Sequence, residues 1–527
     1  MLALDQLNVR LKEILKGCEY RCLDHIKRGI EKEALRITAD GRVSQGPHPQ
    51  GLGAPLTHPF ITTDYAEALL EFVTPTFEDT KQLLLFMQRV HQYVYRHIDS
   101  QLLWPCSMPC MIESADEIRI AAYGTSNLGR LKHIYRKGLE HRYGKKMQCI
   151  AGVHYNCSFP ERFWCCYQES IHQTGDLQAF INDGYFKIIR NFERWAWMLI
   201  LLFGASPVVC TSFFNGGDLP AGLDALDPCT LYRPYATSLR MGDFGYKSRV
   251  QQGMNISYNN LDEYVSDLIK AMTTGVPEYE QMGVKRDGEY IQLNTNYLQV
   301  ENEYYGLIRP KRAVVEGERS TQALNKRGVE YLEIRCLDVN PLSPIGVDRD
   351  QLLFIDTFLL YCVLEDSPTI GRDEMRIIRA NHKAAVCEGR NTSTRLFDVT
   401  RGQWTTIKDW GHELFDRMKI VACYLDEGDT NGDYTRAVKT QRARLENPDL
   451  TPSGGILGQL KNCKIPFYHH AMGLAREYKQ SFNKTELPVQ DRLFLEQAAQ
   501  DSIRDQDHLE RSDTVSLNAY IERYLRT

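Results

Sequence analysis

The chain has 527 residues, 43% hydrophobic and 25% charged, with a formal net charge of −5. That is the composition of an ordinary globular protein with enough length for a large core. It speaks against a nucleic-acid partner, which needs clustered Lys and Arg against phosphates, and gives no support to an anionic membrane surface.

The first residues, "MLALDQLNVRLKEILKG", carry apolar positions at helical spacing with charges between them, and lack the continuous apolar run of a secretory signal. The next stretch, "GIEKEALR" (Gly29 to Arg36), places Glu31 and Glu33 two apart. On a strand they share one face about 7 Å apart. That separation suits two divalent ions about 4 Å apart, each about 2 Å from its oxygen ligand. A solvated strand face with alternating charge is the competing reading. "SQGPHPQGLGAP" (Ser44 to Pro55) is a Gly/Pro-rich loop.

"ITTDYAEALLEFVTP" (Ile61 to Pro75) carries Asp64, Glu67 and Glu71 among apolar residues. A helix would align all three acids on one face, whereas a strand would put Glu71 with Leu69 and Val73; both stay open. An acid in such company needs a partner or a metal. "FEDTKQLLLFMQRVHQYVYRHID" (Phe77 to Asp99) predicts a helix capped by Asp79 or Thr80, with Leu83, Phe86, Val90 and Val94 on its apolar face. "AGVHYNCSFP" has His154 in a β-like run, a residue type that is more often an ordinary core or surface histidine. "GYFKIIRNFERWAWMLILLFG" predicts a buried helix ending near Gly204; its apolar end is too short for a membrane span. "YLEIRCL" alternates, with Glu333 and Arg335 on one face and Leu332, Ile334 and Cys336 on the other. An acid beside an arginine is either a cross-strand pair or a metal ligand beside a phosphate anchor.

After about residue 350 the chain reads as helical and more charged. The expected class is α+β with a mostly antiparallel sheet. Residues 1–350 would carry the chemistry and 351–527 would be a helical region packed on it. The 15 cysteines are scattered without a CxxC pair, which predicts reduced thiols in a cytoplasmic protein and no zinc site. No GxxxxGK[ST], GxGxxG or GxSxG motif is present, so any ATP would have to be held by metals and arginines on strands.

Taken in order, "GIEKEALR", "THPFITTDYAEALLEFVTP", "WPCSMPC", "YGTSNLGRLKHIYRKGLEHRYG", "AGVHYNCSFP", "LFGASPVVC", "PYATSLRMGDFGY", "LQVENEYYGLIRPKR" and "GVEYLEIRCLDVNPLSPIGVD" resemble the proteobacterial type of glutamate–cysteine ligase. The resemblance spans about residues 25–350 and is looser beyond. It implies a glutamine-synthetase-like fold, an antiparallel sheet curled into a funnel with magnesium ions at its floor. It implies Glu31, Glu33, Asp64, Glu71, His154 and Glu333 as metal ligands, with manganese an acceptable alternative to magnesium because of the histidine. It also implies Arg335 as the group stabilising a transferring phosphoryl group, and Arg309 as either a phosphate contact or a structural ion pair. Tyr135, Arg136, Arg240, Tyr246 and Tyr305 match the amino-acid pocket, and Tyr65 and Leu139 the niche for a cysteine side chain.

The implied reaction joins L-glutamate to L-cysteine with ATP through a γ-glutamyl phosphate, the first step of glutathione biosynthesis. Small-molecule substrates are the expected partners, without nucleic acid or membrane, in a chain expected to act as a monomer. Some relatives form a disulfide beside the pocket. Here Cys110 matches one partner, but the other region reads "FWCCYQ" with its cysteines displaced, so that bridge is not expected. A ligase with another acceptor amine, a binding protein and a metal-dependent hydrolase are the rival readings.

Overall fold

A computed structural model describes residues 7–14, 23–109, 111–214, 221–245, 249–315, 317–427 and 431–526. In chain order the strands are β1 (Lys27–Ile37), β2 (Ile61–Thr63), β3 (Leu69–Val73), β4 (Leu102–Leu103), β5 (Gly152–Ser158), β6 (Val208–Cys210), β7 (Asp224–Asp227), β8 (Thr230–Tyr232), β9 (Lys285–Arg286), β10 (Glu289–Tyr290), β11 (Ile308–Lys311), β12 (Tyr331–Asp338), β13 (Arg395–Asp398) and β14 (Gln403–Thr406). Seven of them form one antiparallel sheet in the order β11-β12-β5-β1-β3-β2, with β4 paired to the end of β1. The sheet is open, with β11 and β2 at its edges. The α+β, antiparallel expectation holds.

Period-two alternation gives this sheet two unlike faces. Ile30, Ala34, Leu70, Phe72, Val153, Tyr155, Leu332 and Ile334 are buried on one of them. The helix Leu177–Phe203 packs behind β11 and β12, and the helix Thr80–Tyr95 behind β1. Lys32 is the odd member of this apolar side. Its Nζ lies 2.7 Å from His91 Nε2, and burial pulls its pKa down to about 7. The opposite face carries Glu31, Glu33, Glu71, His154, Asn156 and Glu333.

The ambiguous stretch from Ile61 to Pro75 folds as β2, a turn and β3, so Asp64, Glu67 and Glu71 do not share a helix face. Glu67 is taken up by loop backbone: its carboxylate accepts from the amides of His48 and Ala122, both at 2.8 Å. Asp79 caps the helix Thr80–Tyr95 by accepting from the Lys81 amide, and the long helix ends at Gly204, both as expected. Beyond residue 350 the chain is helical apart from the β13–β14 hairpin. One buried apolar cluster runs from Leu7 to Leu495, so these helices share a core with the sheet. Among the described residues, no helix is long and apolar enough to cross a membrane.

Ten described cysteines are free thiols, five of them buried. Cys166 and Cys210 are each disulfide-bonded, which corrects the expectation of an entirely reduced set. Cys110 lies outside the described residues.

The sheet is pinned from behind by a buried ion pair. Arg28 on β1 donates through Nε to Asp356 on the helix Arg349–Leu364 at 2.8 Å, with side chains 3% and 0% exposed. Tyr155 on β5 donates its hydroxyl to the same carboxylate at 2.6 Å, and Arg28 also reaches the Tyr434 hydroxyl at 2.9 Å. Removing one member leaves an uncompensated buried charge, a loss of about 3–5 kcal/mol. Asp356→Asn should lower unfolding stability in urea by about that amount; an unchanged midpoint would contradict the anchoring role.

Candidate active site

In an antiparallel ladder, directly opposed residues share a face. β1 and β3 set Glu33 opposite Glu71, and β1 and β5 set Glu31 opposite His154. β5 and β12 set Asn156 opposite Glu333. β11 and β12 set Arg309 opposite Glu333. Acids far apart in sequence are therefore gathered onto the one polar face by register alone.

Glu31, His154 and Glu333 form the tightest group, each offering a ligand atom within 4.8 Å of the others. His154 Nδ1 is 3.1 Å from Glu31 Oε2 and 3.7 Å from Glu333 Oε1; its Nε2 is 3.9 Å from Glu33 Oε1. Arg335 donates to Glu333 Oε1 at 2.8 Å. Lys311 and Arg309 flank Glu333 Oε2 at 3.7 and 3.9 Å, and that buried oxygen has no hydrogen bond.

The charges divide this face in two. Burial opposes ionisation of Glu333, but Lys311, Arg335 and Arg309 outweigh it and hold the carboxyl well below the usual range. Burial likewise opposes ionisation of Glu31, and the His154 hydrogen bond reverses the balance. Burial pushes Glu33 up to about 8, with Asp64 adding to the shift and Arg240 opposing it. Burial and then Glu31, Asp64 and Glu33 push Glu71 far above the ordinary value. His154 is lowered by burial and by Arg335, which leaves a neutral imidazole able to act as a ligand. A divalent cation fits this set: several oxygen donors, one neutral nitrogen, and two acids, Glu33 and Glu71, whose burial and acidic neighbours outweigh the charges of Arg240 and Arg136.

Of the remaining predicted residues, Asp64, Arg136 and Arg240 act electrostatically on Glu33 or Glu71. Asp64 lies in the turn after β2, and its carbonyl accepts from the Tyr123 hydroxyl at 3.0 Å and from Arg136 Nε. Tyr135, Arg136 and Leu139 lie on the helix Asn127–Tyr143, with the Arg136 guanidinium 4.7 Å from the centre of the Tyr123 ring. The Tyr65 hydroxyl is buried without a hydrogen-bond partner. Arg240 donates to the Arg335 carbonyl at 3.0 Å and lies 3.7 Å from Asp338. It rests so closely on Gly152 that a Cβ there would stand 2.1 Å from its NH2. The Tyr305 hydroxyl accepts from Gln148 at 3.4 Å. Arg309 is buried and donates to the carbonyls of Asn302, at 3.0 Å, and Tyr304, a bracing role alongside its charge on Glu333. Tyr246 lies outside the described residues.

Three members were not singled out from the sequence. Asn156 donates to Glu31 Oε1 at 2.9 Å and keeps a buried, unpartnered carbonyl oxygen. Lys311 supplies positive charge to Glu333. The Gly152 amide donates to Glu33. The signal for Asn156 was its place two residues after His154, on the same strand face.

The raised acids predict a pH dependence. Glu33 binds its proton more tightly folded than unfolded, so its contribution is full near the ordinary glutamate value of 4.5 and is lost as pH rises towards about 8. Glu71 acts in the same direction. Depressed bases such as His48, His58 and Lys32 act in the opposite direction, so the reading is a difference: the rise in thermal midpoint on replacing chelator by magnesium should grow from pH 5 to pH 8, and a rise that shrinks with pH would contradict this.

A glutamate–cysteine ligase family model matches residues 11–385. The glutamate–cysteine ligase of Alcanivorax borkumensis is 44% identical over 523 residues, 98% of this chain and 99% of that protein. That of Hahella chejuensis is 43% identical over 99% of both chains. The crystal structure of glutamate–cysteine ligase from Francisella tularensis in complex with AMP has a TM-score of 0.89 at 34% identity, covering 95% of this chain and 98% of that one. A bifunctional glutathione synthetase from Pasteurella multocida shares the fold, with a TM-score of 0.67 at 21% identity over 92% of this chain and 57% of that one. Matches of this length and identity, over the same strands that build the acidic face, make this chain a member of the glutamate–cysteine ligase family.

Proposed function

We propose that this chain joins the γ-carboxylate of L-glutamate to the amine of L-cysteine, converting ATP to ADP and phosphate, the first step of glutathione biosynthesis. Family membership supports the reaction class. The observation that carries the chemistry is the face on which Glu31, His154 and Glu333 converge beside Arg335 and Lys311.

The γ-carboxylate of glutamate cannot be displaced by an amine, because its oxygen is too poor a leaving group. Its oxygen attacks the γ-phosphorus of ATP, the bond to ADP breaks, and a γ-glutamyl phosphate results. The cysteine amine then attacks the carbonyl carbon, phosphate leaves with the C–O electron pair, and the amine loses a proton. Positioning and charge neutralisation are the protein's contribution. Arg335, half-buried and held by Glu333, stands ready to stabilise the transferring phosphoryl group. Glu31, Glu33, Asp64, Glu71, His154 and Glu333 would hold magnesium, or manganese in its place. Bound there, the metal would screen the anionic carboxylate from the anionic phosphate.

Tyr135, Arg136, Arg240, Tyr246 and Tyr305 form the amino-acid pocket in this reading, with Tyr65 and Leu139 shaping the cysteine niche. The unpartnered Tyr65 hydroxyl favours contact with a ligand. Arg309 contributes through Glu333 and the loop it braces. The sheet would be the floor of a glutamine-synthetase-like funnel. Residues 1–350 would form the catalytic core and 351–527 the helical support, in a cytoplasmic protein that acts as a monomer.

Phosphate release from ATP with magnesium should be fast only when both amino acids are present, with γ-glutamylcysteine as product. Release that ignores cysteine, or none at all, would overturn the reading. Glu333→Gln should keep the fold with lowered stability, since Arg309 loses its buried counter-charge, and turn over about a hundredfold more slowly, the usual loss for one charge-stabilising group.

A further inference from the structure

Two walls of the proposed amino-acid pocket meet at one carboxylate that the mechanism does not use. Glu303 and Arg142 form an ion pair at 2.9 Å, both side chains fully buried. Arg142 ends the helix that carries Tyr135, Arg136 and Leu139, and Glu303 stands two residues before Tyr305. The neighbouring Tyr143 hydroxyl donates to the same Glu303 oxygen at 2.6 Å, while the other oxygen accepts from the Gln299 amide at 2.7 Å. Gln251 donates to the Glu303 carbonyl at 2.8 Å and accepts from the Tyr305 amide at 3.2 Å. The Tyr143 and Tyr305 rings meet edge to face, 5.9 Å apart.

The helix is also held along its length. Gln299 donates to the Tyr135 carbonyl at 3.2 Å. It passes so close to Gly138 that a Cβ there would stand 2.1 Å from its amide oxygen. Arg142 is satisfied by Gln292 at 2.9 Å and the Asn294 carbonyl at 2.7 Å, with its guanidinium 4.3 Å from the centre of the Tyr279 ring. A buried ion pair adds little to stability over well-packed apolar residues, but it admits few alternative arrangements. What it gives here is a fixed distance between helix and loop.

We propose that Glu303 is a positioning residue for the acceptor, holding Tyr135 and Leu139 on the helix in register with Tyr305 on the loop. It touches no substrate. The inference rests on the ligase reading above and names how that pocket keeps its width for L-cysteine.

The test is steady-state kinetics of Glu303→Gln and Tyr143→Phe with each substrate varied. In Glu303→Gln the KM for L-cysteine should rise about tenfold, from loss of a charge-assisted bond. The KM for ATP should stay within about twofold, with an unchanged near-ultraviolet circular dichroism spectrum. Tyr143→Phe keeps the ring and the ion pair, and should raise the same KM about threefold. KM values that move together, or a cysteine KM unchanged in Tyr143→Phe should Glu303→Gln not fold, would overturn the proposal. Calorimetric binding of L-2-aminobutyrate, an acceptor analogue without the thiol, should weaken in the same variants and needs no turnover. Absence of turnover in the unmodified chain counts against the ligase reading instead, and binding that does not weaken counts against this one.

Discussion

Like charge gathered on one face of a sheet is the constraint that the rest of this structure serves. Glu33 faces Glu71 across a ladder, and Glu31 lies two residues from Glu33 on the same face. Left to themselves, such acids hold protons or repel. The fold answers the problem unevenly. Around Glu333 it supplies Arg335, Arg309 and Lys311, so that end is anionic and compensated. Around Glu33 and Glu71, burial and the neighbouring acids outweigh Arg240 and Arg136, so the carboxyls at that end are held towards their protonated form. The asymmetry separates an arginine- and lysine-rich end, around Glu333, from an end where Glu33 and Glu71 crowd one another on one surface.

Holding charges in this geometry needs a stiff support. The apolar face of the same strands gives one, packed on the helices Leu177–Phe203 and Thr80–Tyr95. The ion pair from Arg28 to Asp356 ties β1 to the helix behind it, and Tyr155 brings β5 to the same carboxylate. Since β1 and β5 carry Glu31, Glu33 and His154 on the other side, this interaction fixes the backs of the strands whose fronts carry the candidate ligands. Distant residues are thus recruited through strand register, and of the candidate ligands Asp64 alone comes from a turn.

How much of this the sequence revealed depends on periodicity. "YLEIRCL" alternates cleanly, so β12 and the shared face of Glu333 and Arg335 were legible. "GIEKEALR" was a strand only if its two acids had a common purpose, which composition cannot establish. Asp64, Glu67 and Glu71 are spaced by three and four, which imitates a helix; the turn between β2 and β3 breaks that pattern, and Glu67 goes to loop amides. Asn156 and Lys311 escaped because an amide and a lysine on strands are ordinary residues, given meaning only by neighbours on other strands. The disulfide-bonded state of Cys166 and Cys210 left no mark in local pattern either. Resemblance to the family carried the assignment of ligands where periodicity stopped.

The central claim is that the acidic face is a cation site at which Glu33 and Glu71 hold protons until metal arrives. Calorimetric titration of magnesium into the metal-free protein at pH 7, repeated in buffers of different ionisation enthalpy, measures the protons released. The account predicts release of about one proton or more per chain, drawn from Glu33 and Glu71. Binding heat that does not depend on the buffer would contradict it.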